Sequence, residues 1–342
     1  MKAITLRQHG DIDVLKFEEL PDPKTQADEV LVKVRAVALN HLDLWIRKGL
    51  PHIKHDYPHI LGSDISGEVL QVGSLVKNIS IGQKVLLHPA LSCGVCEKCS
   101  LGQDNLCPRY QILGEHVRGG YCEMIVVPAR NILPYPENLS FEEAACVPLV
   151  FLTAWQMLVE KAKIRPGMTV VIHGGASGMG SAGIQVAKLF GCQVITTAGS
   201  DEKLARCKSL GADYGINYKK ENFLEAVTKI SGKQGIDVVF EHIGKAFWKE
   251  SLLCLKWGGT LVTCGATTGF EVMTDLRQIF FRQLQILGST MGSRGTQFEV
   301  LRHIAEGKLK PVLDCVLPLQ EAQQAHHLLE AGEQFGKVVL KP

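Results

Sequence analysis

The sequence predicts an α/β protein of two domains, one rich in short strands and one built on a doubly wound parallel sheet. In residues 1–90, apolar and polar residues alternate in short runs, as they do in half-buried strands. In residues 151–292, apolar strand-like runs alternate with helical patterns, which is typical of consecutive βαβ units. A chain of 342 residues is also long for a single core. We therefore expect two domains.

Charge and composition argue against several classes of function. The 37 Lys and Arg residues nearly balance the 35 Asp and Glu residues, and the formal net charge of +2 favours neither nucleic acid nor an anionic membrane as a partner. No apolar run reaches the length of a transmembrane helix, and the first residues do not follow the pattern of a signal peptide. Eleven cysteines, an odd number, favour a reducing compartment. We therefore expect a cytoplasmic protein.

The β-rich part contains three clear strands separated by turns. The predicted strands are 29–38, 65–72 and 85–88. A short helix over residues 40–45 follows the first strand, and a loop over residues 49–58 follows the helix. Three histidines lie in or just after this loop: His52, His55 and His59. Their spacing matches no common set of zinc ligands, so we expect a solvated loop.

Four cysteines crowd one short polar stretch of the β-rich part. Two-residue gaps separate Cys93, Cys96 and Cys99, and Cys107 follows eight positions later. Thiolates suit zinc, and four protein ligands leave no open coordination position, so such a site is structural. The alternative is a cluster of free thiols, which would oxidise readily in an exposed loop. We expect a structural zinc in a lobe at about residues 91–110.

Residues 170–180 read VVIHGGASGMG, an apolar run followed by a glycine-rich turn, and residues 181–190 follow as a predicted helix. A strand, a tight turn and a helix N-terminus form the usual binding site for a dinucleotide pyrophosphate. The fingerprint is imperfect, because Ser177 stands at its second glycine position. The candidate contacts are Gly175, Ser177, Gly178, Met179 and Gly180.

The predicted strands of the parallel sheet are 169–173, 193–197, 238–241, 259–264 and 285–287, and its clearest helices are 202–210 and 223–230. Ligands of open α/β sheets bind at the carboxyl ends of the strands. Four further candidate cofactor contacts follow the last two strands: Gly265, Ala266, Ser289 and Thr290.

Together these motifs resemble the medium-chain dehydrogenase/reductase superfamily, which contains the zinc-type alcohol dehydrogenases and the quinone oxidoreductases. The cysteine lobe resembles the structural-zinc lobe of the family, residues 62–69 occupy its Gly-His-Glu motif, and residues 170–180 match its nucleotide turn. The resemblance covers essentially the whole chain. It implies a GroES-like catalytic domain formed by residues 1–150 and 293–342, a Rossmann domain formed by residues 151–292, and a cleft between them.

The chain departs from the family at the catalytic zinc. Zinc alcohol dehydrogenases bind that metal with two cysteines, a histidine and often a glutamate. Here Asn40 and Leu149 stand at the cysteine positions, Ser63 stands at the histidine position and Asp64 stands at the glutamate position. Only the aspartate is a good zinc ligand, so we expect no catalytic zinc. The asparagine and the leucine instead match the quinone oxidoreductase branch.

The second strand of the parallel sheet predicts the cofactor. NAD-binding relatives have an acidic residue at its end, where this chain has Ala198. The resemblance therefore implies NADP(H) rather than NAD(H), with Ser200, Lys203 and Tyr218 near the 2′-phosphate. Asp201 and Glu202 weigh against this preference. The resemblance also adds Thr153 and Lys337 to the cofactor residues, although Lys337 fits equally well as the cap of an edge strand.

These observations predict an NADP(H)-dependent oxidoreductase with a structural Zn²⁺ that acts on a quinone, an enone or another activated carbonyl compound. We expect Asn40 to donate to the substrate oxygen, and Asp43, Ser63 and Asp64 to orient a water or a neighbouring side chain. The resemblance implies a homodimer or homotetramer paired through an edge strand near residues 285–289.

Two alternatives remain open from the sequence. One is an alcohol dehydrogenase that builds a catalytic zinc site from Asp64 with His41 or His59. The other is a non-enzymatic NADPH-binding or RNA-binding relative, which the balanced charge disfavours.

Overall fold

Strands and helices alternate along the computed structural model, which describes residues 1–50, 53–232 and 234–342; His52 of the histidine loop lies outside the described residues. Within those residues the strands are β1 (Lys2–Thr5), β2 (Lys16–Glu19), β3 (Glu29–Ala38), β4 (Asp64–Val72), β5 (Lys84–Leu87), β6 (Ala90–Leu91), β7 (Gln111–Ile112), β8 (Met124–Pro128), β9 (Ile132–Pro134), β10 (Thr169–Ile172), β11 (Gln193–Ala198), β12 (Tyr214–Asn217), β13 (Ile236–Glu241), β14 (Leu255–Thr263), β15 (Gln285–Gly288), β16 (Leu313–Pro318) and β17 (Lys337–Lys341).

The α-helices in the same residues are α1 (His41–Lys48), α2 (Glu97–Ser100), α3 (Phe141–Ala145), α4 (Pro148–Trp155), α5 (Gly178–Leu189), α6 (Asp201–Ser209), α7 (Phe223–Ser231), α8 (Trp248–Cys254), α9 (Leu276–Arg282), α10 (Arg294–Ala305) and α11 (Ala322–Ala331). Several begin after a residue whose side chain accepts a first-turn N–H, as Ser140 does for α3 and Ser293 for α10. None of these described helices combines the length and the apolar character that a membrane span requires.

The chain divides into two compact units. The first unit comprises Met1–Leu149, Ser293–Gly307 and Pro311–Pro342, and the second comprises Val150–Gly292 with Lys308–Lys310. Each unit has its own large sheet.

The large sheet of the first unit has the strand order β16-β17-β3-β4-β5-β9, and β8 also pairs with β3. Strand β3 lies at its centre because its sequence EVLVKVRAVA alternates apolar and polar residues over ten positions. Its even positions, including Val30, Val32 and Val34, are almost fully buried in the core of this unit. The predicted β-rich domain is confirmed.

The large sheet of the second unit is parallel and has the order β12-β11-β10-β13-β14-β15. Chain order reverses between β10 and β13, and such a switch point is where open α/β sheets bind ligands. Strand β10 lies between two neighbours, and Val170, Val171 and Ile172 are fully buried. The predicted α/β class with a parallel sheet is confirmed.

The predicted helix over residues 40–45 is longer and spans His41–Lys48, and the predicted strand 259–264 begins earlier, at Leu255. Two further local differences have a clear physical cause. Strand β12 was not expected, because only two of its four residues are buried and its apolar pattern is weak. Helix α5 begins at Gly178 rather than at residue 181, because Ser177 caps it and the last glycines of the turn enter its first turn.

Candidate functional site

The four predicted zinc ligands lie together in the first unit. The Sγ–Sγ distances are 3.9 Å for Cys93 and Cys99, 3.5 Å for Cys96 and Cys99, and 3.8 Å for Cys96 and Cys107. All four sulfur atoms lie within 4.8 Å of one another. A tetrahedral zinc with Zn–S bonds of about 2.3 Å separates its sulfurs by about 3.8 Å. The cluster therefore fits a tetrahedral four-thiolate zinc site.

Backbone N–H groups support the thiolate form of this cluster. The N–H groups of Cys93 and Arg109 donate to the Sγ atom of Cys107 over 3.4 and 3.3 Å. The N–H group of Val95 is the main cause that lowers the pKa of Cys93 to about 5. For Cys96, the Cys99 N–H lowers the pKa, but burial and the neighbouring thiols together outweigh it and raise the pKa to about 11. Thiolate is the form that binds zinc, so these N–H donors favour metal binding at the sulfurs of Cys93 and Cys107.

Three strand ends meet elsewhere in the first unit. Ala38, the last residue of β3, is paired with Asp64 on β4 and with Val339 on β17. Asn40 follows β3 by two residues, and Lys337 precedes the β17 partner by two residues. This register places Asn40, Asp64 and Lys337 next to one another.

The side chains of Asn40, Asp64 and Lys337 form a buried hydrogen-bonded cluster, which we call the strand-end cluster. Lys337 Nζ donates to Asn40 Oδ1 over 2.5 Å and to Asp64 Oδ2 over 2.9 Å. Asn40 Nδ2 donates to the same Asp64 oxygen over 3.0 Å, and the N–H group of Leu149 donates to Asp64 Oδ1 over 2.7 Å. The three side chains are 8, 0 and 4% exposed. Each carboxylate oxygen therefore has a donor, and an ammonium already neutralises the charge.

Asp43 fixes the backbone around the strand-end cluster. Its Oδ2 atom accepts the Asn40 N–H over 2.7 Å, and its Oδ1 atom accepts the Gly62 N–H over 2.9 Å. Burial raises the pKa of Asp43 to about 6, although these two bonds and the Lys337 charge oppose the rise. The carboxyl group ties helix α1 to the residues before β4.

A buried row of side chains connects Asp43 to helix α11. The Tyr121 hydroxyl donates to Asp43 and lies 3.3 Å from His326 Nε2. Arg47 Nη1 donates to His326 Nδ1 over 3.2 Å, and Arg47 Nη2 donates to Glu330 over 2.6 Å. Burial lowers the pKa of His326 to about 3, so the ring is neutral and carries its hydrogen on Nε2. No motif in the sequence indicated this row, because its members lie far apart along the chain.

The other predicted residues near the cluster have separate partners. The Ser63 hydroxyl donates to the Leu113 carbonyl over 2.6 Å. His59 Nε2 donates to a backbone carbonyl over 3.0 Å, and burial lowers the pKa of His59 to about 4. Burial also lowers the pKa of His41. Among the described residues, the four-cysteine cluster is the one group of three or more His, Cys, Asp or Glu side chains arranged to hold a metal.

In the second unit, the glycine-rich turn between β10 and α5 has no room for side chains at two positions. A Cβ atom on Gly175 would lie 2.2 Å from Thr196 Oγ1, and one on Gly180 would lie 2.1 Å from the carbonyl oxygen of Gly174. These glycines let the turn pack directly against the sheet.

The start of helix α5 suits an anionic group. Ser177 Oγ accepts the Gly180 N–H over 2.9 Å and so caps the helix. The N–H groups of Gly178 and Met179 belong to the first turn, where a helix offers no internal acceptor. The twelve-residue helix adds the positive end of its dipole. The five predicted turn residues therefore lie together and fit a pyrophosphate.

The predicted 2′-phosphate residues follow β11. Ser200 caps α6, and its Oγ atom accepts the Lys203 N–H over 3.3 Å. A Cβ atom on Gly199 would lie 2.8 Å from the Tyr218 hydroxyl, which places that phenol beside the end of β11. Ser200, the backbone of Lys203 and the Tyr218 hydroxyl thus lie near one end of the strand.

One of the two acidic residues that follow β11 in sequence is already paired. Asp201 forms an ion pair with Lys220 at 2.5 Å and accepts from Asn217 Nδ2 over 2.6 Å. The hydrogen bond from Lys220 is the main cause that lowers the pKa of Asp201. Because Lys220 neutralises part of its charge, Asp201 repels a 2′-phosphate less strongly than the sequence suggested.

The remaining predicted cofactor residues of the second unit follow β14 and β15 or lie on α4: Gly265, Ala266, Ser289, Thr290 and Thr153. Thr153 Oγ1 donates to Met291 Sδ over 3.8 Å. Ser289 is buried, and its hydroxyl has no hydrogen-bond partner within the described residues. A buried hydroxyl without a partner at a strand end suits a polar ligand.

Glu241, at the end of β13, was missed by the sequence reasoning. Its Oε1 atom accepts the N–H groups of Ile243 and Gly244 over 2.8 and 2.7 Å, and Thr263 Oγ1 donates to Oε2 over 3.2 Å. Burial raises its pKa. The available signal was a carboxylate that directly follows the apolar run at 238–240, next to the switch point.

Comparison with known proteins agrees with this architecture. The family described as "Zinc-binding dehydrogenase" matches residues 178–306, and the family described as "Alcohol dehydrogenase GroES-like domain" matches residues 26–137. Among solved structures, an NAD-dependent alcohol dehydrogenase is 48% identical, with a TM-score of 0.97 and full coverage of both chains.

Curated relatives include enzymes of two kinds. An NAD-dependent alcohol dehydrogenase of Sulfolobus acidocaldarius is 32% identical, over 100% of this chain and 99% of the relative. A quinone oxidoreductase of Rattus norvegicus is 28% identical, over 99% of this chain and 97% of the relative. The chain therefore belongs to the medium-chain dehydrogenase/reductase superfamily and is an NAD(P)-dependent oxidoreductase.

Proposed function

We propose that the enzyme uses NADP(H) to reduce a quinone, an enone or another activated carbonyl compound, and that it has a structural zinc and no catalytic zinc. Bound NADP(H) would supply the hydride. Asn40 donates to the substrate oxygen through the amide hydrogen that Asp64 does not take. Asp43, Ser63 and Asp64 orient a water or a neighbouring side chain, as Asp64 does for the Asn40 amide. The cysteine content favours the cytoplasm as its location.

The observation that carries this proposal is the arrangement of donors around Asp64. An open catalytic zinc site needs three good protein ligands. Asp64 is the one good ligand at the family's metal positions, and Lys337, Asn40 and the Leu149 N–H already donate to it. Without a Lewis acid, the developing oxyanion depends on weaker hydrogen-bond donors. Quinones and enones accept hydride readily enough for such donors, whereas unactivated alcohols are poor substrates.

Two further observations support the cofactor and the structural zinc. Ala198 removes the carboxylate that would repel a 2′-phosphate, and Asp201 is neutralised by Lys220. The four cysteines form a closed ligand set, which leaves no position for a substrate. We propose that this zinc stabilises the lobe and takes no part in hydride transfer.

The test is a metal count combined with turnover. We expect elemental analysis of protein purified without chelator to give about one zinc per subunit. We expect NADPH oxidation with 1,4-naphthoquinone and with cyclohex-2-enone, and little ethanol oxidation with NADP⁺. The atypical alcohol dehydrogenase would instead be established by two zinc ions per subunit, the second bound by Asp64 and a histidine, and by ordinary rates with ethanol.

A further inference from the structure

We propose that a cavity in the first unit, beside the cysteine lobe, binds an organic anion in which a carboxylate or phosphate group is joined to a flat apolar body. The cavity has a volume of about 520 Å³, and all of its lining residues belong to Met1–Leu149 and Ser293–Gly307. Sites for organic ligands are usually of this size. None of the residues proposed above for the nucleotide, the zinc or hydride transfer lines it.

Cationic side chains dominate the charge of this cavity. Lys77, Arg130 and Arg294 line it, and Asp28 is the one acidic residue among its lining residues. Three separate segments of the chain supply the cations, so the fold itself brings like charges together. In the part of the chain that the structure describes, none of the three takes part in an ion pair. The resulting excess of two positive charges around one cavity attracts an anion.

The two arginines are held in place by their neighbours. Arg294 and Phe298 lie one turn apart on α10, and the Arg294 Cζ atom lies 5.1 Å from the centroid of the Phe298 ring. The Arg130 guanidinium packs over Gly94 in the cysteine lobe and occupies the space that a Cβ atom on this glycine would need. Both planar guanidinium groups are therefore positioned to form paired hydrogen bonds with a carboxylate or a phosphate.

An apolar wall determines the other half of the ligand. Ile132 and Leu133 on β9 are 8 and 1% exposed, and Val76 and Ile79 pack against the core of the first unit. The Phe298 ring adds a flat face. A small inorganic anion would leave this wall in contact with water, whereas an anion with an apolar body covers it. The lining therefore favours an aromatic anion over inorganic phosphate.

The experiment compares probes that share one ring system but differ in charge. 2-Naphthoate and 2-naphthyl phosphate are anionic, and 2-naphthamide is the neutral counterpart. Isothermal titration calorimetry measures their Kd values with the zinc-loaded enzyme, saturated with the oxidised nicotinamide cofactor that it binds more tightly. The probes then cannot occupy the cofactor site.

The variants Arg130→Gln and Arg294→Gln each remove one charge and keep a polar side chain. Arg302→Gln is the matched control, because Arg302 lies on the same helix as Arg294 but is exposed and paired with Glu299.

We expect a Kd of about 1 mM or lower for the two anions. The Kd of 2-naphthamide should be at least about tenfold higher, since it forms no charge-assisted hydrogen bond. Each of the two variants should raise the Kd of the anions by about tenfold or more, and the control should match the wild type. The head group with the lower Kd identifies the ligand as a carboxylate or a phosphate. Zinc content and kcat without a probe should not change.

Other results would overturn the inference. Equal Kd values for 2-naphthoate and 2-naphthamide would reduce the cavity to an apolar patch. Displacement of 2-naphthoate by an equal concentration of inorganic phosphate would make it a site for small ions. Anion binding that survives both arginine changes would place the probe elsewhere, and zinc loss from both variants would assign the arginines to the support of the lobe. No binding of either anion would refute the inference outright. None of these outcomes depends on which carbonyl compound the enzyme reduces.

Discussion

Lys337 Nζ lies 2.9 Å from Asp64 Oδ2, and their side chains are 4 and 0% exposed. The two residues are 273 positions apart in the chain. A buried ion pair of this kind adds little net stability when both partners are present, because desolvation offsets the attraction. Removal of one partner is different, since it leaves a charge buried alone.

We therefore expect Asp64→Ala to lower the free energy of unfolding by about 3–5 kcal/mol. Urea unfolding at neutral pH measures this change. Glu137→Ala is the matched control, because it removes an exposed ion pair with Lys84 and should cost at most about 1 kcal/mol. Equal losses in the two variants would mean that the Lys337–Asp64 pair is solvated in solution.

The stability of the enzyme should depend on pH through Asp43. Burial raises its pKa to about 6, so the folded protein binds this proton more tightly than the unfolded chain does. The resulting stabilisation is fully present below about pH 4 and is lost as the pH rises through about 6. Asp43→Asn abolishes this dependence. The difference in unfolding free energy, wild type minus variant, should fall by about 3 kcal/mol between pH 4 and pH 7.

Asp13→Asn is the control for this pH dependence, because Asp13 is exposed. Its effect on the unfolding free energy should be small, because the side chain is exposed. A difference between wild type and Asp43→Asn that does not change with pH would show that Asp43 is solvated in the folded protein.

Loss of one thiolate should release the zinc without abolishing hydride transfer. We expect Cys99→Ser to reduce the zinc content from about one per subunit to nearly none and to lower the thermal midpoint. The kcat of the protein that remains folded should stay within about threefold of wild type, since no hydride-transfer group lies in the cysteine cluster. Cys315→Ser, outside the cluster, should keep its zinc. Retention of zinc by Cys99→Ser would contradict the four-thiolate site.

The cofactor preference should depend on Lys203. A charge-assisted hydrogen bond to a 2′-phosphate contributes about 1.5–3 kcal/mol, so Lys203→Ala should reduce the preference for NADPH over NADH by about 10–100-fold. Calorimetric Kd values for both cofactors give this ratio. Lys208→Ala, in the last turn of the same helix, is the control. Equal affinities of the wild type for the two cofactors would refute the NADP(H) assignment.

The segment before β15, the edge strand of the second unit's large sheet, exposes an apolar group of side chains. Its exposed members are Phe270, Met273, Leu276, Phe280 and Phe281. An uncovered edge strand with such a surface favours pairing with a second copy. We expect a dimer or tetramer by light scattering at micromolar concentration, and a smaller assembly after Phe280→Glu with Phe281→Glu. Leu75→Glu, an equally exposed change in the first unit, should have no effect. A monomeric wild type would contradict this prediction.

Local patterns predicted the parts of the molecule that depend on neighbours in sequence. The spacing of Cys93, Cys96, Cys99 and Cys107 was sufficient for the zinc cluster, because its ligands lie within one short loop. The order strand, glycine turn, helix located the nucleotide turn for the same reason. Alternation alone identified β3, whose observed bounds equal the predicted ones.

The strand-end cluster could not be predicted in this way. Asn40 and Lys337 are 297 residues apart and meet only because β17 pairs with β3 in one register. A shift of that register by one residue would turn the lysine to the other face of the sheet. Counting along the motifs gave the positions of Asn40 and Asp64. It could not show that the ammonium of Lys337 contacts both side chains.

The position of Lys337 on the closing strand has a consequence for synthesis of the protein. While the first unit emerges from the ribosome, Asp64 is complete but its partner has not yet been translated. Before β17 docks, Asn40 and the Leu149 N–H are available as donors but the cation is not, so the Lys337–Asp64 ion pair cannot stabilise any earlier folding intermediate. Closure of so long a loop is slow and entropically costly. We expect β17 to join the sheet last and the strand-end cluster to form at that moment, so that only a fully folded chain becomes active.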